Sequence, residues 1–188
     1  MAKNNPLSPL NGPNLRTPAR LFFAVWPEAS CSHRLAATAR NLTTVCGGRQ
    51  MFTGNLHMTL LFIGAIDRSL IPALEAAAAG LRVPSFEIAL DRLDCFGHHR
   101  IACAAPGRVP EALCMLASQL REAVAATGIG FDRKPFVPHV TLLRNIDRSF
   151  AARTMPALAW HIGSFALVES IATERGVRYR TLETWQLR

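Results

Sequence analysis

The chain has 188 residues, 49% of them hydrophobic, which is enough for one domain or for two small lobes that share a core. No apolar run reaches the roughly 18 residues that span a membrane, so no membrane partner is expected. Lysine and arginine total 21 against 13 acidic residues, an excess that suits a polyanionic partner such as RNA. A basic protein from an arginine-rich proteome would show the same excess, so charge alone leaves the partner open.

The amino-terminal segment differs in composition from the rest of the chain. Residues 1–18 are rich in proline and asparagine and contain no acidic residue. They lack the apolar core of a secretory signal, so we expect a mobile extension, with a weak RNA-contacting arm as the alternative. The five cysteines are odd in number and irregularly spaced, which favours reduced thiols and a cytoplasmic protein.

The remaining elements follow from hydrophobic periodicity and turn residues. Strands are expected where apolar residues alternate or run together, over residues 20–26, 49–53, 55–64, 85–96, 100–104, 136–144, 162–173 and 177–187. Helices are expected where apolar residues recur every three or four positions, over residues 28–45, 69–80 and 110–127. Asp67 or Ser69 can cap the second helix, Gly64 is expected to end its strand, and residues 155–160 stay unassigned. This order lacks a strict βαβ rhythm, which favours an α+β fold with largely antiparallel sheets.

One short pattern occurs twice. Asn55-Leu56-His57-Met58-Thr59-Leu60 and Pro138-His139-Val140-Thr141-Leu142 both contain His-x-Thr-Leu within an apolar run. Alternate residues of a strand share a face, so each strand would present an imidazole beside a hydroxyl. The copies are about half a domain apart in sequence, which predicts matching strands of two similar lobes.

The repeated residue types suit phosphate chemistry. Imidazole titrates near neutral pH, and a threonine hydroxyl can donate to a phosphate oxygen. Two such pairs across a cleft would supply a general base, a general acid and two groups that orient an anion, which is what in-line cleavage of a phosphodiester requires. For a single histidine in an apolar run, a plain buried side chain would be the better interpretation, and it is the repetition that favours a site.

At these residues the sequence resembles the two-histidine phosphoesterases, and among them the bacterial RNA 2′,3′-cyclic phosphodiesterases, also called 2′-5′ RNA ligases. The resemblance extends from about Arg20 to Arg188 and includes segments 20–25, 55–60, 138–142 with Arg144, and 179–185. It implies one bilobal domain over residues 19–188, acting as a monomer, with two pseudo-symmetric lobes around a central cleft and helices on the outer faces. Residues 102–105 (Ala-Cys-Ala-Ala) depart from the Trp-Leu-Gly type of sequence common in the family.

The resemblance also implies an activity. A terminal 2′,3′-cyclic phosphate of RNA would be hydrolysed to a 2′-phosphomonoester without cofactor or metal, with His57 as proton donor and His139 as proton acceptor. The sequence alone is symmetric on that assignment. Thr59 and Thr141 would hold the phosphate, and the reverse reaction would join RNA ends through a 2′-5′ bond without ATP. Two alternatives stay open, namely a related phosphodiesterase acting on a small cyclic phosphate or a 2′-5′ oligonucleotide, and a non-catalytic RNA-binding module.

Two further residues are candidates for substrate binding. In the family an arginine at the place of Arg144 contacts the phosphate, although strict alternation would turn it away from His139 unless a bulge or the strand end turns it back. Phe136 could stack on a base of single-stranded RNA, with a place in the core as an equal alternative.

A metal site is the weaker interpretation of a second cluster. Cys95, His98, His99 and Cys103 lie close together in sequence but lack the second pair of ligands typical of a structural zinc site. Structural thiols and solvent-exposed turn histidines are favoured instead. His33 and His161 are expected at the surface.

Overall fold

A computed structural model describes residues 18–96, 100–174 and 176–188. The strands in these ranges are β1 (Ala19–Val25), β2 (Arg49–Gln50), β3 (Met58–Ile66), β4 (Phe86–Phe96), β5 (Ile101–Pro106), β6 (Val140–Arg144), β7 (Arg153–Ile162), β8 (Ser164–Thr173) and β9 (Gly176–Gln186). The α-helices are α1 (Ala29–Cys46), α2 (Ile71–Ala79) and α3 (Glu111–Ala126). The extension predicted for residues 1–18 lies outside the described residues except for Pro18, as do His98 and His99 of the predicted turn.

The strands form one antiparallel sheet in the order β7-β4-β5-β6-β3-β1-β8-β9, with the short β2 paired to β6. Outward from the central strands, β6 is followed by β5, β4 and β7, and β3 by β1, β8 and β9. Each half therefore has four strands with its motif strand at the centre of the sheet, and the halves meet at a single residue pair, Met58 opposite Val140. The predicted α+β class and the largely antiparallel pairing are confirmed. The two expected sheets are halves of one continuous sheet.

The helices join the two halves of the sheet. As the helical periodicity predicts, Leu35, Ala39 and Leu42 of α1 are buried. The strand before α1 is β1, but α1 packs on β6 and β7, which belong to the other half of the sheet. In the same way α3 follows β5 but packs on β3 and α2. Because α1 and α3 each pack on the half opposite to their own preceding strand, residues of both halves contribute to one main core. Neither half therefore buries its apolar face alone. None of the described helices is long and apolar enough to cross a bilayer.

The opposite face of the sheet has its own small apolar cluster. It consists of Phe22 and Ala24 of β1 with Ala166 and Val168 of β8, and the half-buried Trp26, Phe62 and Tyr179 pack against it. None of these residues lies on a described helix, so this face is open to solvent above the central strands. It is the face on which polar side chains of the central strands gather.

The structure overturns one predicted strand end, assigns a segment that the sequence left open and corrects one predicted helix cap. Gly64 does not end β3, because it takes a φ of +92° next to a register shift and the strand continues to Ile66. Glycine adopts that conformation readily, so here it marks a bulge. The unassigned residues 155–160 lie in β7, an edge strand, and Pro156 falls at the register shift between the pairs Leu90–Leu158 and Arg92–Thr154, a position that tolerates proline. Neither Asp67 nor Ser69 caps α2 itself. Asp67 caps the single 3-10 turn Arg68–Leu70 that leads into α2, its side chain accepting a hydrogen bond of 2.8 Å from the backbone N–H of Ser69, and Leu70 at the start of α2 makes no side-chain cap.

Glu169 of β8 is a buried carboxylate, with 3% of its surface exposed. Its two oxygens accept hydrogen bonds from Arg68, which precedes α2, and from Arg180 of β9. Burial opposes ionisation of Glu169, but the two guanidinium groups outweigh it and hold the pKa of the carboxyl below its usual value. The three side chains therefore act as an ion-pair network that ties the β8–β9 hairpin to the segment after β3.

We expect Glu169→Gln to lower the free energy of unfolding by about 3 kcal/mol near pH 7, at the lower end for a buried ion pair because Arg180 is partly exposed. A carboxyl whose pKa is lowered by folding stabilises the protein above its unfolded pKa, and the effect is lost as pH falls towards the folded value. The difference between variant and wild type should therefore narrow below about pH 4.5 in urea unfolding. The exposed Glu87→Gln is the matched control, and a difference independent of pH would contradict the ion-pair explanation.

Candidate active site

The two motif strands, β3 and β6, are neighbours at the centre of the sheet. His57 directly precedes β3 and His139 directly precedes β6, so each strand begins one residue later than the histidine of its motif. The pairing of Met58 with Val140 is antiparallel. In this antiparallel register His57 lies across from Thr141, and His139 lies across from Thr59. Residues remote in sequence converge on one short stretch of the open face.

A cleft of about 500 Å³ covers this stretch. It is lined by four of the predicted site residues from the two motifs, His57, Thr59, His139 and Thr141, and by Arg144. The structure thus brings five of the six candidates together. Phe136 does not line the cleft. It lines a smaller neighbouring groove that shares Thr59, Phe62 and His139 with the cleft, and it also packs against the main core.

Both imidazoles are held in the same way by the backbone. The Nδ1 atom of His57 lies 2.7 Å from the carbonyl oxygen of Asn55, and Nδ1 of His139 lies 2.7 Å from that of Val137. A carbonyl oxygen can only accept, so Nδ1 carries the hydrogen in each ring. In the neutral tautomer Nε2 is then the atom available to take a proton. Nε2 of His57 lies 3.1 Å from the Thr59 hydroxyl, which can donate to it.

The surroundings of the two rings differ. His57 is enclosed by aromatic side chains, with Trp26 stacked at 5.1 Å, Phe22 at 5.0 Å and the edge of Tyr179 at 5.1 Å between ring centroids. Among the described residues, the one aromatic side chain at this distance from His139 is Phe96, at 5.0 Å. The two matched histidines therefore have unequal environments, which the repeated motif does not reveal.

Burial lowers the pKa of both imidazoles. It brings the pKa of His57 to about 4, with smaller contributions from the positive charges of His139 and Arg144. The pKa of His139 is also lowered, by burial and by Arg144. Both rings are therefore predominantly neutral at pH 7 in the free protein. A bound phosphate anion would act in the opposite direction and favour the imidazolium form.

A bulge in each motif strand explains how Arg144 reaches the cleft. The pairing of β3 with β1 skips Leu60, and the pairing of β6 with β5 skips Leu142, the residue just after the threonine in each motif. One extra residue reverses the alternation beyond it. Phe62 and Arg144, three residues after their threonines, therefore turn back to the cleft face and occupy matching positions in the two halves.

The cleft is strongly cationic. Arg20, Arg49 and Arg144 line it, and no aspartate or glutamate is among the lining residues in the described part of the chain. Arg49 of β2 lies directly opposite Arg144 of β6. Like charges at such positions repel each other, so a bound anion between the strands would relieve the repulsion. The electrostatics favour an anionic ligand.

Sequence reasoning assigned no role in the site to Tyr179, Phe22 or Trp26. Tyr179 is the single tyrosine of the chain, which was the available signal. It lies on β9, the outermost strand of its half, and lines the cleft against the ring of His57. Asn55, at the start of the first motif, donates a 3.0 Å hydrogen bond from Nδ2 to the Val177 carbonyl and so ties that motif to the hairpin.

Of the described members of the cysteine and histidine cluster, Cys103 is buried and Cys95 is half-buried. The thiol of Cys103 is fully buried 3.6 Å from the Asp94 carbonyl oxygen, and burial raises its pKa to about 12. Within residues 18–96, 100–174 and 176–188, no three histidine, cysteine or acidic side chains gather as metal ligands would. His98 and His99 lie outside these ranges.

Comparison with known proteins decides the family. Residues 27–173, which include both His-x-Thr motifs, match the 2′-5′ RNA ligase superfamily. The chain belongs to this superfamily. The resemblance seen in the sequence is therefore confirmed, and so is the fold that it implied.

Similar proteins of this superfamily cover nearly the whole chain. The RNA 2′,3′-cyclic phosphodiesterase of Escherichia coli is 30% identical over 90% of this chain and 97% of its own length. The protein of the same name from Thermus thermophilus is 32% identical over 90% of both chains. Among solved structures, E. coli LigT complexed with 3′-AMP superposes with a TM-score of 0.82 at 29% identity, covering 90% of this chain and 98% of LigT.

Proposed function

We propose that this protein is an RNA 2′,3′-cyclic phosphodiesterase that uses His57 and His139 as its acid and base. The observation that carries the proposal is that both His-Thr pairs line one cationic cleft with Nδ1 of each ring bonded to the backbone. Relatives over nearly the full chain bear this name, and E. coli LigT has been crystallised with 3′-AMP, a nucleotide that carries a phosphate on its ribose.

In the proposed reaction, Nε2 of His139 accepts a proton from water while the water oxygen attacks phosphorus. The bond from phosphorus to the ribose 3′ oxygen breaks in line with the attack, and protonated His57 donates its proton to that oxygen. The products are a 2′-phosphomonoester and a free 3′-hydroxyl. His57 must be protonated for this step, and its low pKa in the free protein makes protonation depend on the negative charge of the bound phosphate.

The remaining cleft residues would hold the phosphate. The hydroxyls of Thr59 and Thr141 and the guanidinium of Arg144 can donate to the two non-bridging oxygens, whose negative charge grows in the transition state. Aromatic walls around His57 exclude water and strengthen these electrostatic interactions. If a ribose 5′-hydroxyl took the place of the attacking water, the same groups would break the bond from phosphorus to the 3′ oxygen and form a 2′-5′ bond without ATP.

The experiment is hydrolysis of an oligonucleotide with a 2′,3′-cyclic phosphate end, with and without excess EDTA. We expect conversion to a 2′-phosphate end at an unchanged rate in EDTA, because the two histidines supply the proton transfers. Mass spectrometry detects the added water, and resistance of the product to a 3′-specific phosphatase identifies the 2′ isomer.

Four outcomes would count against the proposal. Loss of activity in EDTA would contradict the metal-free reaction, and faster turnover of a small cyclic phosphate or a 2′-5′ oligonucleotide would indicate a different substrate. Tight binding of the oligonucleotide without any product would indicate a binding module. A 3′-phosphate product would reverse the proposed leaving group.

A further inference from the structure

The two halves of the cleft differ at one matched position. On β6 the bulge turns Arg144 into the cleft, whereas on β3 the equivalent bulge turns in Phe62, which carries no charge. A cation is nevertheless present there. The guanidinium carbon of Arg20, from the neighbouring strand β1, lies 4.6 Å from the centroid of the Phe62 ring.

Stacking on Phe62 orients Arg20 without neutralising it. A guanidinium over an aromatic face is attracted by the ring electrons but keeps its charge, and the N–H groups along its edge remain free to donate. Arg20 is exposed and lines the cleft, and within the described part of the chain no carboxylate forms an ion pair with it. A planar, oriented cation of this kind is suited to bidentate contact with a phosphate.

Arg20 and Arg144 lie on opposite sides of the reacting centre. Strands β3 and β6 are antiparallel, so Phe62 and Arg144, each three residues beyond its threonine, extend in opposite directions from the Met58–Val140 pair, and Arg20 stacks on Phe62. Arg20 and Arg144 both act on the hydroxyl of Tyr179, where burial raises the pKa and the two arginines partly offset the rise. Of the two, Arg144 lowers the pKa of both histidines. The cleft therefore has two cationic positions, one with Arg144 near the histidine pair and one with Arg20 over Phe62.

We propose that Arg20, stacked on Phe62, binds the phosphate on the 5′ side of the terminal nucleotide. The protein would thereby select oligonucleotide ends over nucleosides that carry only the cyclic phosphate. An RNA end has two phosphates on its last ribose, the cyclic one and the one on the 5′ carbon, and the cleft has two separate cationic positions. The inference rests on the proposed function, because it assigns the cyclic phosphate to the centre formed by Arg144 and the histidines.

The test compares two substrates that differ only in this phosphate, namely a nucleoside 2′,3′-cyclic phosphate with a 5′-hydroxyl and the same compound with a 5′-phosphate. We expect the wild type to have the lower KM for the 5′-phosphorylated compound. Arg20→Gln should raise that KM roughly tenfold relative to the KM for the 5′-hydroxyl compound, with little effect on kcat, because one charge-assisted contact is lost. Arg40→Gln, an exposed arginine of α1, is the matched control and should keep the wild-type ratio.

Two kinetic outcomes would overturn the inference. If Arg20→Gln weakens both substrates equally, Arg20 does not recognise the 5′-phosphate. If Arg49→Gln shows the selective loss instead, the second phosphate binds beside β2. Salt dependence on a single-stranded oligonucleotide with a 2′,3′-cyclic phosphate end is a further check, because removing one phosphate contact to such a strand should reduce the slope of log KM against log salt by about 0.7.

A binding measurement separates this inference from the proposed catalysis. Calorimetry with a nucleoside 2′,5′-bisphosphate and a nucleoside 2′-monophosphate needs no turnover. We expect Arg20→Gln to lower affinity for the bisphosphate alone. If the wild type turns over neither cyclic compound, the proposed function fails, while the binding comparison still decides whether Arg20 holds a second phosphate.

Discussion

Replacing His139 or His57 with alanine is expected to lower kcat on a 2′,3′-cyclic-phosphate oligonucleotide by on the order of 10²–10⁴-fold, because each ring moves one proton in the proposed step. The loss should appear in kcat more than in KM, since the threonine hydroxyls and Arg144 still hold the phosphate. Single-turnover assays of purified variants measure it directly. His33→Ala, an exposed histidine of α1, is the control and should retain wild-type kcat.

A substrate with a weakly basic leaving group tells the two histidines apart. Expulsion of 4-nitrophenolate from 3′-deoxyadenosine 2′-(4-nitrophenyl phosphate), which keeps phosphorus on the 2′ oxygen, needs little help from an acid, whereas attack by water still needs the base. We therefore expect His57→Ala to recover most of its lost rate on this diester and His139→Ala to stay slow. If His139→Ala recovers its rate on this diester and His57→Ala does not, His139 is the acid and His57 is the base. Wild-type activity in either variant, with thermal unfolding unchanged, would remove that histidine from the reaction.

Arg144→Gln is expected to lower kcat/KM about 100-fold, because it removes a charged donor from the oxygens that gain negative charge in the transition state. The substitution should also raise the pKa values of His57 and His139. A nearby cation disfavours the imidazolium form, so removing it should raise the pKa of His57 above about 4 and shift that of His139 upward towards 6.5. An NMR titration of the ring signals between about pH 3 and pH 8 would measure both shifts.

Arg144→Lys separates the charge of this residue from its shape. Lysine keeps the positive charge but lacks the planar fork that contacts two oxygens, so the histidine pKa values should stay low while kcat/KM recovers only in part. Arg40→Gln is again the control for loss of one surface charge. Histidine pKa values that do not move in Arg144→Gln would contradict the close approach of Arg144 to the rings.

Much of the fold follows from patterns that act over short distances. The buried faces of α1 and α3 follow their helical periodicity, and the β8–β9 hairpin lies where alternation and the turn indicated it. Where prediction was wrong, the cause was a long-range pairing. Gly64 looked like a strand end because glycine usually interrupts a strand, yet its pairing with β1 continues past it through a bulge.

The candidate site divides in the same way. The sequence specified the chemical groups, since a His-x-Thr motif on a strand places an imidazole and a hydroxyl on one side wherever that strand lies. It could not specify that β3 and β6 would be neighbours, that a bulge after each threonine would return Arg144 and Phe62 to the cleft, or that several aromatic rings would enclose His57. Those features depend on contacts between residues far apart in the chain, and local periodicity carries no information about them.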